Sequence, residues 1–149
     1  MTPASGRLEG HKHVLPVRVY YEDTDAQGVV YHANYLRYAE RGRSEIVRLL
    51  GIDQRELKDK QGLAFAIRRA TLDFRAPARL GDVIEVHSSF AELRPASLVV
   101  DQRILLDGHL IVDIQVQVAM VMLATGRPVR LPPEVRHSLE MFCQSGTGE

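Results

Sequence analysis

The chain has 149 residues, with 19 lysines and arginines against 19 aspartates and glutamates, so its formal charge is zero. A hydrophobic fraction of 45% beside 26% charged residues supplies a core and argues against disorder. The neutral balance excludes the basic footprint of a nucleic-acid binder, and one cysteine, Cys143, excludes an internal disulfide.

Residues 1–13 mix glycine, proline, serine and charge without periodicity, and are expected to form a disordered arm. A single domain is expected over 14–142, followed by a flexible tail over 143–149. The arm has no apolar h-region, so it does not read as a secretory signal. The longest uncharged stretch, 114–126, falls short of the ~20 apolar residues of a membrane span. With no disulfide framework, a soluble chain in a reducing compartment, the cytoplasm, is the expectation.

The run VLPVRVYY, residues 14–21, is β-branched and aromatic and reads as a strand. EDTDAQG, residues 22–28, is turn chemistry closing on a glycine. In the segment 34–51, Tyr35, Tyr38, Ala39, Gly42, Ile46, Leu49 and Leu50 recur at three- and four-residue steps and predict one helix face. Arg41 and Glu45 stand at pairing distance on the opposite side, and Gly51 is placed as a C-cap. Gly42 on the apolar face costs roughly 1 kcal/mol of helix propensity, which suggests that another backbone crosses closely there.

From residue 63 the period changes to that of strands. The runs 63–74, 83–93, 97–106 and 109–123 are separated by segments containing Pro77 and Gly81, then Pro95, then Asp107-Gly108. Asp-Gly between apolar runs is a strong hairpin signal. In the last run Ile114, Val116, Val118, Met120 and Met122 share one face. Val135, Leu139 and Phe142 then predict a short C-terminal helix. The order predicts an α+β fold: five antiparallel strands wrapped around one long helix.

All five tyrosines (Tyr20, Tyr21, Tyr31, Tyr35 and Tyr38) fall in one short stretch, together with Glu22, Asp23, Asp25 and His32. The stretch spans a strand-to-helix junction, where free backbone N–H groups favour negative charge. Capping alone could account for Asp25 or Asn34. Glu22, Asp23, Asp25 and His32 are donors suited to zinc or manganese, but no HxxxH or HExxH pair accompanies them. No GxSxG elbow and no nucleotide-binding glycine loop occurs. What remains is a carboxylate, a histidine and helix-start donors, a set suited to attack on a carbonyl with stabilisation of the oxyanion.

The pattern Y-x-D-x-D-x-x-G-[VI]-V-[YF]-[HY]-x-x-Y runs unbroken from Tyr21 to Tyr35. It resembles the signature of the hotdog-fold acyl-CoA thioesterases of the 4-hydroxybenzoyl-CoA thioesterase family, and within them the Tol–Pal-associated, YbgC-type subgroup. The later run IRRATLDFRAPARLGDVIEV is also similar to the family's, and the likeness spans roughly residues 14–125. It implies Asp25 as the catalytic carboxylate, Asp23 in a structural role, and His32 and Tyr21 beside the site. It also implies the His32 amide as the donor to the thioester carbonyl, with Gly28 and Tyr31 on the substrate side. Ala26 stands where the aryl branch typically has proline, which favours an aliphatic acyl group. No metal or redox cofactor is implied, coenzyme A being part of the substrate. An acyl carrier protein is the other carrier considered, and a homodimer or homotetramer is the expected assembly. Arg75 and Arg79, flanking a proline-containing loop, are candidates for the phosphates of coenzyme A. The alternatives are a non-hydrolytic acyl-binding module, a hotdog dehydratase, and a scaffold of the cell-envelope Tol–Pal system.

Overall fold

The structure, a computed structural model, describes residues 4–145. Residues 1–3 of the expected arm and 146–149 of the expected tail lie outside them. Two short strands open the chain, β1 (Arg7–Glu9) and β2 (Lys12–Arg18), and helix α1 (Asn34–Leu49) follows. A short helix α2 (Gln54–Glu56) runs into a π turn at Leu57–Gln61. Four long strands come next: β3 (Leu63–Phe74), β4 (Val83–Leu93), β5 (Ser97–Leu106) and β6 (His109–Met122). The two-residue strand β7 (Arg127–Pro128) and helix α3 (Pro133–Ser145) complete the chain. The sheet order is β1-β2-β4-β5-β6-β3, with β7 also on β6, and each pairing is antiparallel.

This is the expected α+β arrangement, an antiparallel sheet around one long helix with a short C-terminal helix. The strand count is corrected from five to seven, because two- and three-residue strands carry too little period-2 signal to be read from sequence. Part of the expected disordered arm is ordered: Arg7–Glu9 pairs with Lys12–Val14, and the buried His13 donates from Nε2 to the Ser5 carbonyl at 2.7 Å. The first long strand ends at Arg18 rather than residue 21, since Tyr21–Asp23 turns as a 3-10 helix. Asp107 and Gly108 both take positive φ, 52° and 80°, in the hairpin turn that Asp-Gly predicts.

The main core joins Tyr35, Tyr38 and Ala39 of α1 to Ile84, Val86, Val100, Ile104, Ile114 and Val116 of the sheet. A second cluster seats Val135 and Leu139 of α3 against Val47, Leu57, Leu63 and Met120. The helix face is rotated slightly from its predicted position, for Val47 is buried and Leu49 is 42% exposed. Glu45 pairs with Arg48 at 3.2 Å, not with Arg41, whose guanidinium lies over the Tyr38 ring.

The close approach at Gly42 is real, but side chains rather than backbone make it. A Cβ there would meet Val86 Cγ1 at 2.9 Å, Ser88 Oγ at 3.1 Å and Gln102 Nε2 at 3.2 Å. Gln102, fully buried, donates from Nε2 to the Ala39 carbonyl (2.8 Å) and to Ser88 Oγ (2.9 Å). The sheet therefore holds the helix by hydrogen bonds at the point where the missing side chain lets it come nearest. Gly42→Val should destabilise the fold by about 1–3 kcal/mol through overpacking, read as a lowered urea midpoint with the slope unchanged.

Candidate active site

The segment before α1 is a small hairpin built by its own backbone. Thr24 bridges Val30, the Asp25 amide donates to the Val29 carbonyl at 2.9 Å, and Gly28 closes the turn with φ 79°. The two aspartates have different environments. Asp23 Oδ2 accepts from the Tyr20 amide at 2.8 Å, while its carbonyl accepts from the Tyr31 amide (3.0 Å) and Asn34 Nδ2 (2.8 Å). Its carboxylate and carbonyl thus tie strand end, hairpin and helix start together. Asp25 is exposed, and Oδ1 accepts from the Gln27 amide at 2.8 Å. Its other oxygen has no partner among the described residues.

The helix start is anchored on the other side by Tyr35, whose hydroxyl accepts from the Ala78 amide at 3.1 Å. The Ala78 carbonyl in turn accepts from the Val30 amide at 2.9 Å, and Arg79 bridges Val29. The P-A-R-L-G-D loop is therefore packed against the Asp25 hairpin. Burial pushes the Tyr35 hydroxyl above its ordinary pKa, and burial followed by the carboxylate of Asp23 pushes Tyr38 further. Both stay protonated at any physiological pH.

His32 sits between this hairpin and α1, exposed, with its ring centroid 4.5 Å from Tyr31 and 6.2 Å from Phe74. Its backbone amide donates to no described residue, and neither does that of Ala33. These are the orphan donors of a helix start, at its positive end. No hydrogen bond joins Asp25, His32 and Tyr21 to one another, and Tyr21 is 82% exposed. Glu22, Asp23, Asp25 and His32 do not converge: no group of three or more His, Cys, Asp or Glu among the described residues could hold a metal ion.

The two arginines singled out from sequence differ. Arg75 is already engaged by Asp73 at 3.0 Å and Asp113 at 3.9 Å. The Arg79 guanidinium is exposed and makes no ion pair or hydrogen bond with a described residue. Sequence reading passed over Phe74, which closes one side of His32. It also passed over a cavity of about 390 Å³ further along α1, between that helix and β3. Period-2 patterning marks Phe74 only as a strand end; the proximity arises because β3 runs antiparallel to the helix.

An antiparallel sheet curled around one long helix is the architecture of the hotdog thioesterases. Residues 19–139 match the model of the thioesterase-like superfamily, and the chain belongs to that family. It is 41% identical to the acyl-CoA thioesterase YbgC of Haemophilus influenzae over 82% of this chain and 90% of that one. A probable thioesterase from Bartonella henselae superposes with a TM-score of 0.77 at 35% identity, covering 81% of this chain and 99% of that one. A 4-hydroxybenzoyl-CoA thioesterase bound to 4-hydroxybenzoyl-CoA shares the fold, with a TM-score of 0.79 at 17% identity over 87% of this chain and 99% of that one. No helix of the described residues is long and apolar enough to cross a membrane.

Asp23→Ala should lower the unfolding free energy by about 1–2 kcal/mol, the loss of a charge-assisted bond to the Tyr20 amide. Urea titration checks this, and the variant should keep more activity than any change at Asp25.

Proposed function

We propose that this chain hydrolyses acyl-CoA thioesters with aliphatic acyl groups to the free acid and coenzyme A. The observation that carries the reading is the pairing of Asp25, one oxygen oriented by the Gln27 amide and the other free, with the unengaged His32 amide at the start of α1. The thioester carbonyl accepts from that amide, where the helix end favours developing negative charge. Either Asp25 adds to the carbonyl carbon, giving a mixed anhydride that water then hydrolyses, or it takes a proton from the water that adds. In both routes the C–S bond breaks as the tetrahedral oxyanion collapses, and the thiolate leaves with the bonding pair. In this reading His32, Tyr21 and Tyr31 flank the approach and His32 orients the water or the leaving sulfur, while Gly28 with its positive φ gives the hairpin its turn. The net reaction adds water across the C–S bond, its oxygen going to the acyl carbon and one of its protons, by way of Asp25 or solvent, to the thiolate. No electrons are gained or lost, so the reading needs no metal or redox cofactor.

Two further features belong to this reading. The free guanidinium of Arg79, on the loop packed against the Asp25 hairpin, suits a coenzyme A phosphate better than Arg75, which carboxylates already occupy. Strand β3 ends the sheet as a twelve-residue edge carrying Ile67 and Phe74, each about half exposed. An open apolar edge of that length invites pairing, which supports a homodimer or a larger homo-oligomer as the working unit. A carrier-protein thioester presents the same pantetheine arm but lacks the phosphoadenosine.

Asp25→Asn should fold normally and lose about 10²–10⁴-fold in kcat; near-wild-type turnover in a thiol-release assay removes Asp25 from the chemistry. Arg79→Ala should raise KM for acyl-CoA roughly three- to tenfold with little change in kcat, and leave a pantetheine thioester unaffected. Sedimentation equilibrium at assay concentration should give a mass above that of one chain.

A further inference from the structure

The cavity beside α1 is lined by apolar side chains of the sheet and of α3, among them Phe65, Ile67 and Leu139, and by Val47, Glu40 and Arg43 of the helix. Arg43 is the anomaly. It is half-buried, and no carboxylate lies within salt-bridge distance among the described residues. Burial depresses its pKa, with only the more distant Glu40 acting the other way. One of its donors is used: Nη1 donates to Gln102 Oε1 at 2.9 Å. The orientation of that amide is decided by its surroundings, because Nε2 already donates to the Ala39 carbonyl and Ser88 Oγ. Its oxygen has only Arg43 to face. The sheet thus holds the guanidinium by one corner and leaves the remaining N–H groups of the fork without a partner among the described residues. Partly burying an unpaired charge in an apolar wall is costly, and an arginine that only tethered the helix would need no cavity in front of it.

One flank of α1 and the length of β3 both run from beside this cavity to the Asp25 hairpin. Ala33, Leu36, Glu40 and Arg43 follow one flank of α1 at three- and four-residue steps. The facing wall is β3, which runs from Phe65 beside the cavity to Phe74 beside His32. Arg43 stands about 16 Å of helix axis from His32, and its side chain leans back toward the helix N-terminus.

We infer that Arg43, held by Gln102, binds a carboxylate at the far end of the acyl chain, so that ω-carboxyacyl-CoA thioesters are preferred substrates. The inference rests on the thioesterase reading above. A carboxylate suits the site because it accepts two parallel N–H bonds from one guanidinium. It also brings a carboxylate within bonding distance of the fork, which Glu40, on the same cavity wall, does not do among the described residues.

The test compares kcat/KM for matched acyl-CoA pairs: succinyl with butyryl, adipyl with hexanoyl, and suberyl with octanoyl. Wild type should prefer the carboxylated member of at least one pair about tenfold or more, and Arg43→Met should reverse that preference. Arg43→Lys should recover part of it, since a point charge replaces the fork. Equal or better wild-type turnover of the neutral member in every pair overturns the inference and leaves the thioesterase reading standing, whether or not the variants fold. An equal loss on both members of a pair in Arg43→Met, with wild-type folding by circular dichroism, overturns it as well and assigns Arg43 to tethering the helix. Failure of the wild-type protein to hydrolyse any acyl-CoA overturns the underlying reading and the inference with it.

Discussion

Helix α1 lies in the curve of the sheet at a distance that residue 42 makes possible. With any side chain there, the helix would press against Val86, Ser88 and Gln102 at separations below ordinary contact, so it would have to lift away. Lifting it would pull the Ala39 carbonyl from Gln102 and disturb the packing of Tyr35 and Tyr38 against the sheet. The same movement would displace the helix start, which carries Asn34 into the Asp23 carbonyl and Tyr35 against Ala78. A constraint in mid-helix thereby governs the position of amides more than two turns away. The rigidity of a packed helix transmits it.

The hairpin before α1 shows how one short polar run divides its labour. Asp23 and Asp25 are chemically the same group two residues apart, yet one is consumed in holding the hairpin and the other keeps an oxygen free. The difference lies in the backbone. The 3-10 turn at Tyr21–Asp23 aims the first carboxylate back at the Tyr20 amide, whereas Asp25 sits at the start of a tight turn and reaches only Gln27. A positioned group must be held by neighbours that are themselves satisfied. Here the hydrogen bonds of Asp23, Asn34 and Tyr35 do that holding, which leaves the His32 amide unengaged.

Polar groups facing the core follow the same logic. Ser88 and Gln102 are cross-strand partners with a helix carbonyl above them, and both Nε2 protons of Gln102 find acceptors. Satisfied networks of this kind rigidify an interior, while each group left without a partner asks for its own explanation. Arg43 has one bond and several idle donors at the rim of a cavity, and stands on the second side of that division.

Period and composition alone determined the order of elements, the antiparallel class, the long helix and the four main strands. Those signals are local: a repeat of two or 3.6 residues persists wherever one face is buried. The run from Tyr21 to Tyr35 also carried the family resemblance, because its residue types are constrained by one hairpin and one helix start. What sequence could not decide were relations between distant segments. The β1–β2 hairpin is too short to show a period; Arg75 looked available until Asp113 of β6 came alongside it. Gly42 signalled a close approach without saying that side chains would fill it. Phe74 beside His32 and Arg43 beside the cavity came to lie along one helix and one strand only when β3 was laid along α1. Such relations depend on which strand becomes the edge and how the helix is rotated, and those are settled by the summed packing of the whole core.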